Sequence, residues 1–359
     1  MPAWITRLQL YERHLSALAM VGGFIFDNFA FGRLEHPATQ IAIAGYLLGA
    51  ALTIAIQHYF EARAERAGQA FRWRAYVSAA TQFALGGLWS AFLIFYSRSA
   101  AIIVSWPFLI VLASLLIANE YLREYHSRLV FTTTLFFIAL FTYMTFLVPI
   151  AAGTINEKTY LLSGVISIAV FVVYLLVLTV LGRKRMWNQF GRLVASAGGA
   201  LLFLNVFYFL NLLPPIPLAL SDAGVYHRVW KTDGSYYATG EQQPWRSRFG
   251  FPRLVHVEPG KPLYFFSAVY APIALKTRIV HDWQFFDSAQ GRWVSKSKIA
   301  FPIRGGRDNG YRGYSMKANL IPGEWRVDVD TVDGRVIGRI LFKVVFSAHP
   351  PDTRTFTLQ

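Results

Sequence analysis

The sequence contains no cysteine. That excludes disulfides and cysteine-ligated metals, and it is compatible with an oxidising compartment. Charge is scarce too: 15% of the 359 residues are charged and 54% are hydrophobic, whereas about a quarter of a soluble domain is charged. Acids are outnumbered by bases, 20 against 35, for a net charge of +15. Familiar catalytic signatures are missing. There is no G-x-S-x-G nucleophile elbow, no H-x-x-x-x-D pair of the membrane acyltransferase type, and no G-x-x-x-x-G-K-[ST] phosphate loop. His227, His256 and His349 stand isolated, without the spacing of a zinc site. No metal, cofactor or catalytic residue is expected.

What the sequence does have is long apolar runs. Seven stretches, near 14–33, 38–60, 74–97, 99–118, 128–150, 159–181 and 192–213, reach the roughly 20 helical residues that cross a bilayer core. None follows Pro214. The first lacks an A-x-A-like cleavage site and is followed closely by further spans, so it is not read as a removable signal peptide. Lysine and arginine set the orientation, because cytoplasmic loops hold the excess. With the N-terminus inside, twelve such residues fall on inner segments: Arg7, Arg13, Arg63, Arg66, Arg72, Arg74, Arg123, Arg128, Arg183, Lys184, Arg185 and Arg192. Three fall outside: Arg33, Arg98 and Lys158. An odd number of spans then exports everything after about residue 214. The exported part carries a net charge of +8, which the loop rule does not explain, since long exported domains cross largely regardless of charge.

Within the membrane, Asp27 in "GFIFDNFAFGR" stands out. Helical rise places it roughly 20 Å from the inner surface, where an ionisable group is costly and faces protein or water. It is either a functional carboxylate or an anchor bonded to Asn28, a neighbouring span or Arg33.

"NLLPPIPLAL" stops the last helix, and Pro214, Pro215 and Pro217 make residues 214–222 a stiff linker. Beyond it the period becomes two. "EWRVDVDT" sets Trp325, Val327 and Val329 against Glu324, Arg326 and Asp328, and "TRIVHDWQFF" places Ile279, His281, Trp283 and Phe285 on one face. Turn signals at Pro259-Gly260, Asp287 to Gly291, Pro322-Gly323 and Asp333-Gly334 separate seven to nine short strands. This spacing implies an immunoglobulin-like β-sandwich over 223–348, followed by a tail at 349–359.

The order of motifs in this part resembles a bacterial family, domain of unknown function 2914. An H-x-W strand (His281, Trp283), an R-x-x-S-x-K segment (Arg312, Ser315, Lys317), a G-x-W-x-V strand (Gly323, Trp325, Val327) and a D-G turn (Asp333, Gly334) follow in its sequence. The likeness covers about 260–346. The preceding spans, residues 1–213, resemble the multi-pass region numbered 5924 that precedes such domains in some proteobacterial proteins. The resemblance implies a bacterial inner (plasma) membrane protein with a cytoplasmic N-terminus and a periplasmic C-terminal domain, and it implies no activity.

Two surface candidates follow. "RGGRDNGYRGYSMK" gathers Arg304, Arg307, Arg312 and Lys317. They either solvate a strand edge or bind an anion such as a lipid headgroup, lipopolysaccharide phosphate or acidic glycan, for which arginine's planar fork is suited. Tyr311 and Tyr314 beside them, and Trp245, are candidates for stacking; Trp283 and Trp325 read as core. His281 and Asp282, adjacent in a strand, point to opposite faces and make no catalytic dyad. The expected function is non-enzymatic recognition, scaffolding or sensing, with the bilayer, an anionic envelope ligand or an envelope protein as partner and no nucleic acid. The alternative is a transporter or membrane enzyme working between the helices around Asp27.

Overall fold

A computed structural model describes residues 22–25, 27–29, 31, 36–68, 72–99, 102–122, 125–126, 128–214, 218–241, 252–271, 275–305, 310–348 and 352–358. The chain divides into two compact units: Met1–Ser97, Pro107–Val148 and Lys158–Leu210 form the helical unit, and Arg98–Trp106, Pro149–Glu157 and Asn211–Gln359 form the other, called the β unit because all of its strands lie after Asn211.

In the helical unit, described helical residues at 22–25 and 27–29 precede five helices: α1 (Pro37–Ala67), α2 (Arg74–Ser99), α3 (Ile102–Tyr121), α4 (Leu129–Ala152) and α5 (Glu157–Phe209). Four of them, α1, α2, α4 and α5, are long and apolar enough to cross a membrane by length and composition, and α3 is a shorter apolar helix. Helix α5 has 53 residues but is not a rod. The Tyr160 hydroxyl donates to the Leu204 carbonyl at 3.3 Å, and the Tyr160 and Tyr208 rings stack at 3.3 Å. A straight helix would hold residues 160 and 204 about 66 Å apart. The chain therefore folds back at Gly182, which leaves helical geometry (φ −157°, ψ 63°), and two antiparallel legs result.

The sequence implies two spans here, separated by a connection from 182 to 191. The structure closes the hairpin at one residue instead, and Arg183, Lys184 and Arg185 are helical. The reason is close packing: a Cβ at Gly182 would lie 2.6 Å from His58 Nε2 and 2.9 Å from the Ala62 Cβ. His58 Nε2 in turn reaches the Leu178 carbonyl at 3.0 Å. Ion pairs close this end of the unit. Arg185 engages Glu61 and Glu65, and Arg74 Nε lies 3.1 Å from Glu61. The end of α1, the start of α2 and the α5 turn thus meet. At the other end, Tyr143 donates to Gln40 at 3.0 Å and Tyr96 meets Thr145 at 3.2 Å, which joins the start of α1, the end of α2 and the second half of α4.

The β unit has eleven strands: β1 (Ala219–Tyr226), β2 (Arg228–Thr232), β3 (Ser235–Glu241), β4 (Arg253–Val257), β5 (Leu263–Tyr270), β6 (Lys276–Asp287), β7 (Arg292–Arg304), β8 (Tyr311–Lys317), β9 (Gly323–Thr331), β10 (Val336–Phe346) and β11 (Thr353–Leu358). They form three sheets, in the orders β1-β5-β8, β4-β10-β9-β6-β7 and β11-β3-β2. All pairings are antiparallel except β4 with β10.

The β1-β5-β8 sheet is a middle layer. Leu263, Phe265 and Val269 of β5 join a large core with Trp283, Trp325, Val327 and Phe342 of the five-stranded sheet. Phe266 and Ala268, on the other face of β5, pack with Val229, Ala238 and Leu358 of the third sheet. "LYFFSAVY" is apolar on both faces, so β5 needs cover on both sides.

Two boundaries differ from the sequence reading. β1 begins inside the segment read as linker, because Ala219 and Leu220 already pair with Tyr270 and Val269. The segment read as a tail is a strand, because Leu358 and Phe356 pack into the second core while β11 pairs with β3 along its length.

Gly182→Ala should place a methyl group against His58 and Ala62 and destabilise the helical unit by about 1–3 kcal/mol, the usual cost of overpacking. Thermal unfolding of the chain in detergent tests this; an unchanged midpoint would mean the hairpin does not depend on that contact.

Candidate functional site

The residues that carry the family resemblance converge inside the β unit. On β6, Ile279, His281 and Trp283 point into the large core, and His281 is fully buried. Its Nε2 lies 2.8 Å from Ser267 Oγ on β5 and its Nδ1 2.9 Å from Ser315 Oγ on β8. The Trp283 indole N–H donates to the same Ser315 oxygen at 3.0 Å. The Phe265 and Phe301 rings stand edge-on to the imidazole at 4.7 and 4.8 Å. A hydroxyl both donates and accepts, so either tautomer of the ring is satisfied. Burial pushes the His281 pKa down to about 3, so the ring is neutral at physiological pH.

The rest of the motif serves the backbone and the core. Trp325 is buried and donates to the Ile321 carbonyl at 2.9 Å. Gly323 has φ +136°, and a Cβ there would meet the Phe285 ring at 2.9 Å. Gly334 turns with φ +76° beside exposed Asp333, between β9 and β10. Gly313, within the R-x-x-S-x-K segment, gives way to Phe301, whose ring would lie 2.6 Å from a Cβ.

The opposite face of the five-stranded sheet carries charge. Asp282 and Asp328 sit across from each other on β6 and β9, and both are buried. Arg339 grips Asp328 through two bonds of 2.6 Å, while Asp282 accepts from Ser295 and Gln284. Arg326 bonds Gln284 at 2.9 Å and lies over the Trp293 ring. Burial, then the Asp328 and Asp282 charges, push Asp330 up to about 7. Among the described residues no group of three or more histidines, aspartates or glutamates is arranged to hold a metal ion.

The surface candidates divide according to the faces of β8, the edge strand of its sheet. Arg312 and Tyr314 share one face. The Arg312 guanidinium lies 5.7 Å from the centre of the Tyr236 ring, and Lys231 approaches the same ring at 5.5 Å. The exposed Tyr314 ring contacts Tyr236 and Tyr264 at 6.4 and 6.1 Å.

Tyr311 and Lys317 lie on the other face, with Ser315. Tyr311 packs against the large core, and Lys317 donates to Ser297 of β7 at 2.8 Å. Arg304 is exposed at the end of β7. Arg307 and Trp245 lie outside the described residues. The structure therefore brings Arg312 and Tyr314 together and adds Lys231, Tyr236 and Tyr264, which the linear basic run could not reveal. The available signal was the alternation of "YRGYSMK", which sends its cations to two faces. Gly310 sets the start of that strand. It has φ +77°, and a Cβ would lie 2.9 Å from the Val269 carbonyl carbon.

In the helical unit, Asp27 lines a cavity of about 510 Å³ with Tyr46, Ser90, Asn119 and Glu120; Asn28 is exposed beside it.

The β unit is thus an all-β domain with an internal polar junction and a cationic, aromatic strand face. A family model described as "Protein of unknown function (DUF2914)" matches residues 276–344, from β6 into β10. No curated protein matches the chain. Among solved structures, an immunoglobulin-like protein from Pseudomonas aeruginosa is similar at 13% identity, over 36% of this chain and 96% of that one, with a TM-score of 0.23. A beta-glucosidase from Listeria innocua is similar at 15% identity over 33% of this chain and 17% of its own, with a TM-score of 0.19. An alkylpurine DNA glycosylase from Pseudomonas fluorescens is similar at 11% identity over 86% of this chain and 99% of its own, with a TM-score of 0.21. None of these likenesses carries a function across.

Ser315→Ala should leave both His281 and Trp283 short of a buried partner and cost about 2–6 kcal/mol, since each such loss costs about 1–3 kcal/mol. Urea unfolding followed by tryptophan fluorescence reads this, and a cost under about 0.5 kcal/mol would refute the junction.

Asp330 gives a pH signature. Its folded pKa lies above the unfolded value of 3.8, so the folded state holds the extra proton and loses stability as pH rises from about 4 to about 7. Asp330→Asn should gain on the wild type by on the order of 4 kcal/mol over that window and hold the gain above pH 7. Unfolding midpoints at pH 4, 5.5 and 7.5 compare the two; a difference independent of pH would contradict the raised pKa.

Proposed function

We propose that the chain is a bacterial inner-membrane protein whose helical unit, of the kind numbered 5924, anchors a periplasmic β unit that recognises an anionic envelope ligand without chemistry. The observation that carries this reading is the face of β8 and its neighbours, where Arg312 and Lys231 flank the Tyr236 ring beside exposed Tyr314. Guanidinium and ammonium groups attract phosphate or carboxylate, and the phenol rings offer flat faces to a sugar or to acyl chains. Lipid headgroups, lipopolysaccharide and acidic glycans combine those features.

The membrane assignment rests on exposed apolar surface. Ile41 and Phe83 are each 72% exposed, Val180 86% and Leu202 67%. Apolar area of that extent in water would drive association, whereas lipid tails accept it. The meeting of Glu61, Arg74 and Arg185 at one end supports the orientation read from the basic loops, since all three belong to segments assigned to the cytoplasmic side.

Binding of the full chain in zwitterionic nanodiscs to lipopolysaccharide, at low and at physiological salt, tests the proposal. Affinity should weaken with salt, and Arg312→Ala with Lys231→Ala should lower it about tenfold or more, the loss of roughly 1.4 kcal/mol. Lys317→Ala, on the opposite face, should change it little. Binding that ignores salt and survives the double substitution would overturn the assignment.

A further inference from the structure

The turn of α5 at Gly182 carries a second site, separate from the β unit. Residues of the turn and of the end of α1 line a cavity of about 830 Å³. Four cations stand in its lining, Arg66 from α1 and Arg183, Lys184 and Arg185 from the start of the second leg of α5, against one acid, Glu65.

Ion pairs within the chain leave most of this charge unanswered. Arg185 engages Glu65 and Glu61, and Glu61 is shared with Arg74. Among the described residues Arg183 and Lys184, both exposed, make no ion pair and no side-chain hydrogen bond, and Arg66 only donates its Nε–H to the Ala62 carbonyl at 3.1 Å. The Nε–H of Arg185 is buried and meets no acceptor among those residues. Helix electrostatics add to the mismatch. A helix start favours acids, yet this leg opens with Arg183, Lys184 and Arg185 and has no acid through Arg192. Four cations around one space repel one another, and an anion seated among them turns that repulsion into attraction.

From this lining we infer that the cavity binds a phosphate group. Phosphate offers several oxygens at once to guanidinium forks and to an ammonium, so it can engage cations from two helices together. A volume of about 830 Å³ lies within the range of small-molecule sites. Two sources present that group, an anionic phospholipid and a soluble phosphate ester. The rest of the lining favours the lipid: it includes Trp187 and Val180, 60% and 86% exposed, and an indole with an aliphatic neighbour suits the level at which headgroups meet tails. Basic pockets between membrane helices hold lipid headgroups in this way. The lipid source rests on the membrane reading of the helical unit, whereas phosphate binding itself does not.

The test is native mass spectrometry of the full chain in a non-ionic detergent, with two matched pairs of probes: phosphatidylglycerol against diacylglycerol with the same tails, and glycerol 1-phosphate against glycerol. In at least one pair the phosphate-bearing member should bind about tenfold or more tightly than its partner. That pair identifies the source, and where both pairs respond the tighter binder does. Arg183→Ala with Lys184→Ala should remove the preference; both side chains are exposed, so the fold should survive. Arg63→Ala, an exposed cation of α1 outside the lining, should change binding little, and Arg312→Ala in the β unit should not change it. No preference in either pair, a preference that survives the double substitution, or an equal loss with Arg63→Ala or Arg312→Ala would each overturn the inference.

Discussion

His281 lies between two serine hydroxyls, 2.8 Å from Ser267 and 2.9 Å from Ser315, with the Trp283 indole on the second of them. Those four side chains come from β5, β6 and β8, so the junction ties the middle sheet to the five-stranded one. A disulfide could perform the same task in a small domain, but the sequence has no cysteine. The polar core is affordable only when closed: each buried group has its partner, and a half-satisfied network would cost more than an apolar core. Glycines at 313 and 323 make way for the Phe301 and Phe285 rings that pack around it. The bilateral burial of β5 depends on the same register, because slipping β8 by one residue would turn Ser315 outward and Tyr314 inward.

This gives the family resemblance a physical content. His281, Trp283, Ser315, Gly323, Trp325 and Gly334 are core or turn residues, and the positions they occupy specify a sandwich rather than a ligand. Of the face that carries Arg312, the side chains of Lys231, Tyr236, Tyr264 and Tyr314 lie outside that pattern. The charge on the far face follows the same logic. Arg339 and Arg326 neutralise Asp328, so the surplus that confers +15 on the chain is carried elsewhere.

Much of the fold was legible in the sequence. Alternation in "EWRVDVDT" and "TRIVHDWQFF" identified β9 and β6 and the inward faces of Trp325 and Trp283, and apolar length identified the long helices. β3 and β11 were harder. "SYYATGE" and "TRTFTL" bury only one side of short strands, and their partners lie more than a hundred residues apart in sequence. The one-residue hairpin at Gly182 was hidden because its cause is His58, on another helix. The candidate patch was legible only in half: alternation along β8 fixes which residues share a face, but Lys231 and Tyr236 reach Arg312 across a sheet interface that no local pattern announces. Asp27 was visible as an acid within an apolar run, whereas its cavity depends on Gly86, Gly87 and Glu120 from two other helices.

The most direct test of the junction is the titration of His281 in the intact chain, with ¹⁵N-labelled histidine read by NMR between pH 3 and 8. A closed, dry junction predicts a neutral ring with one protonated nitrogen throughout, titrating only near pH 3, where burial holds it. Titration close to the ordinary histidine value of about 6.5 would show that water reaches the ring, and the account of what holds the two sheets together would fail.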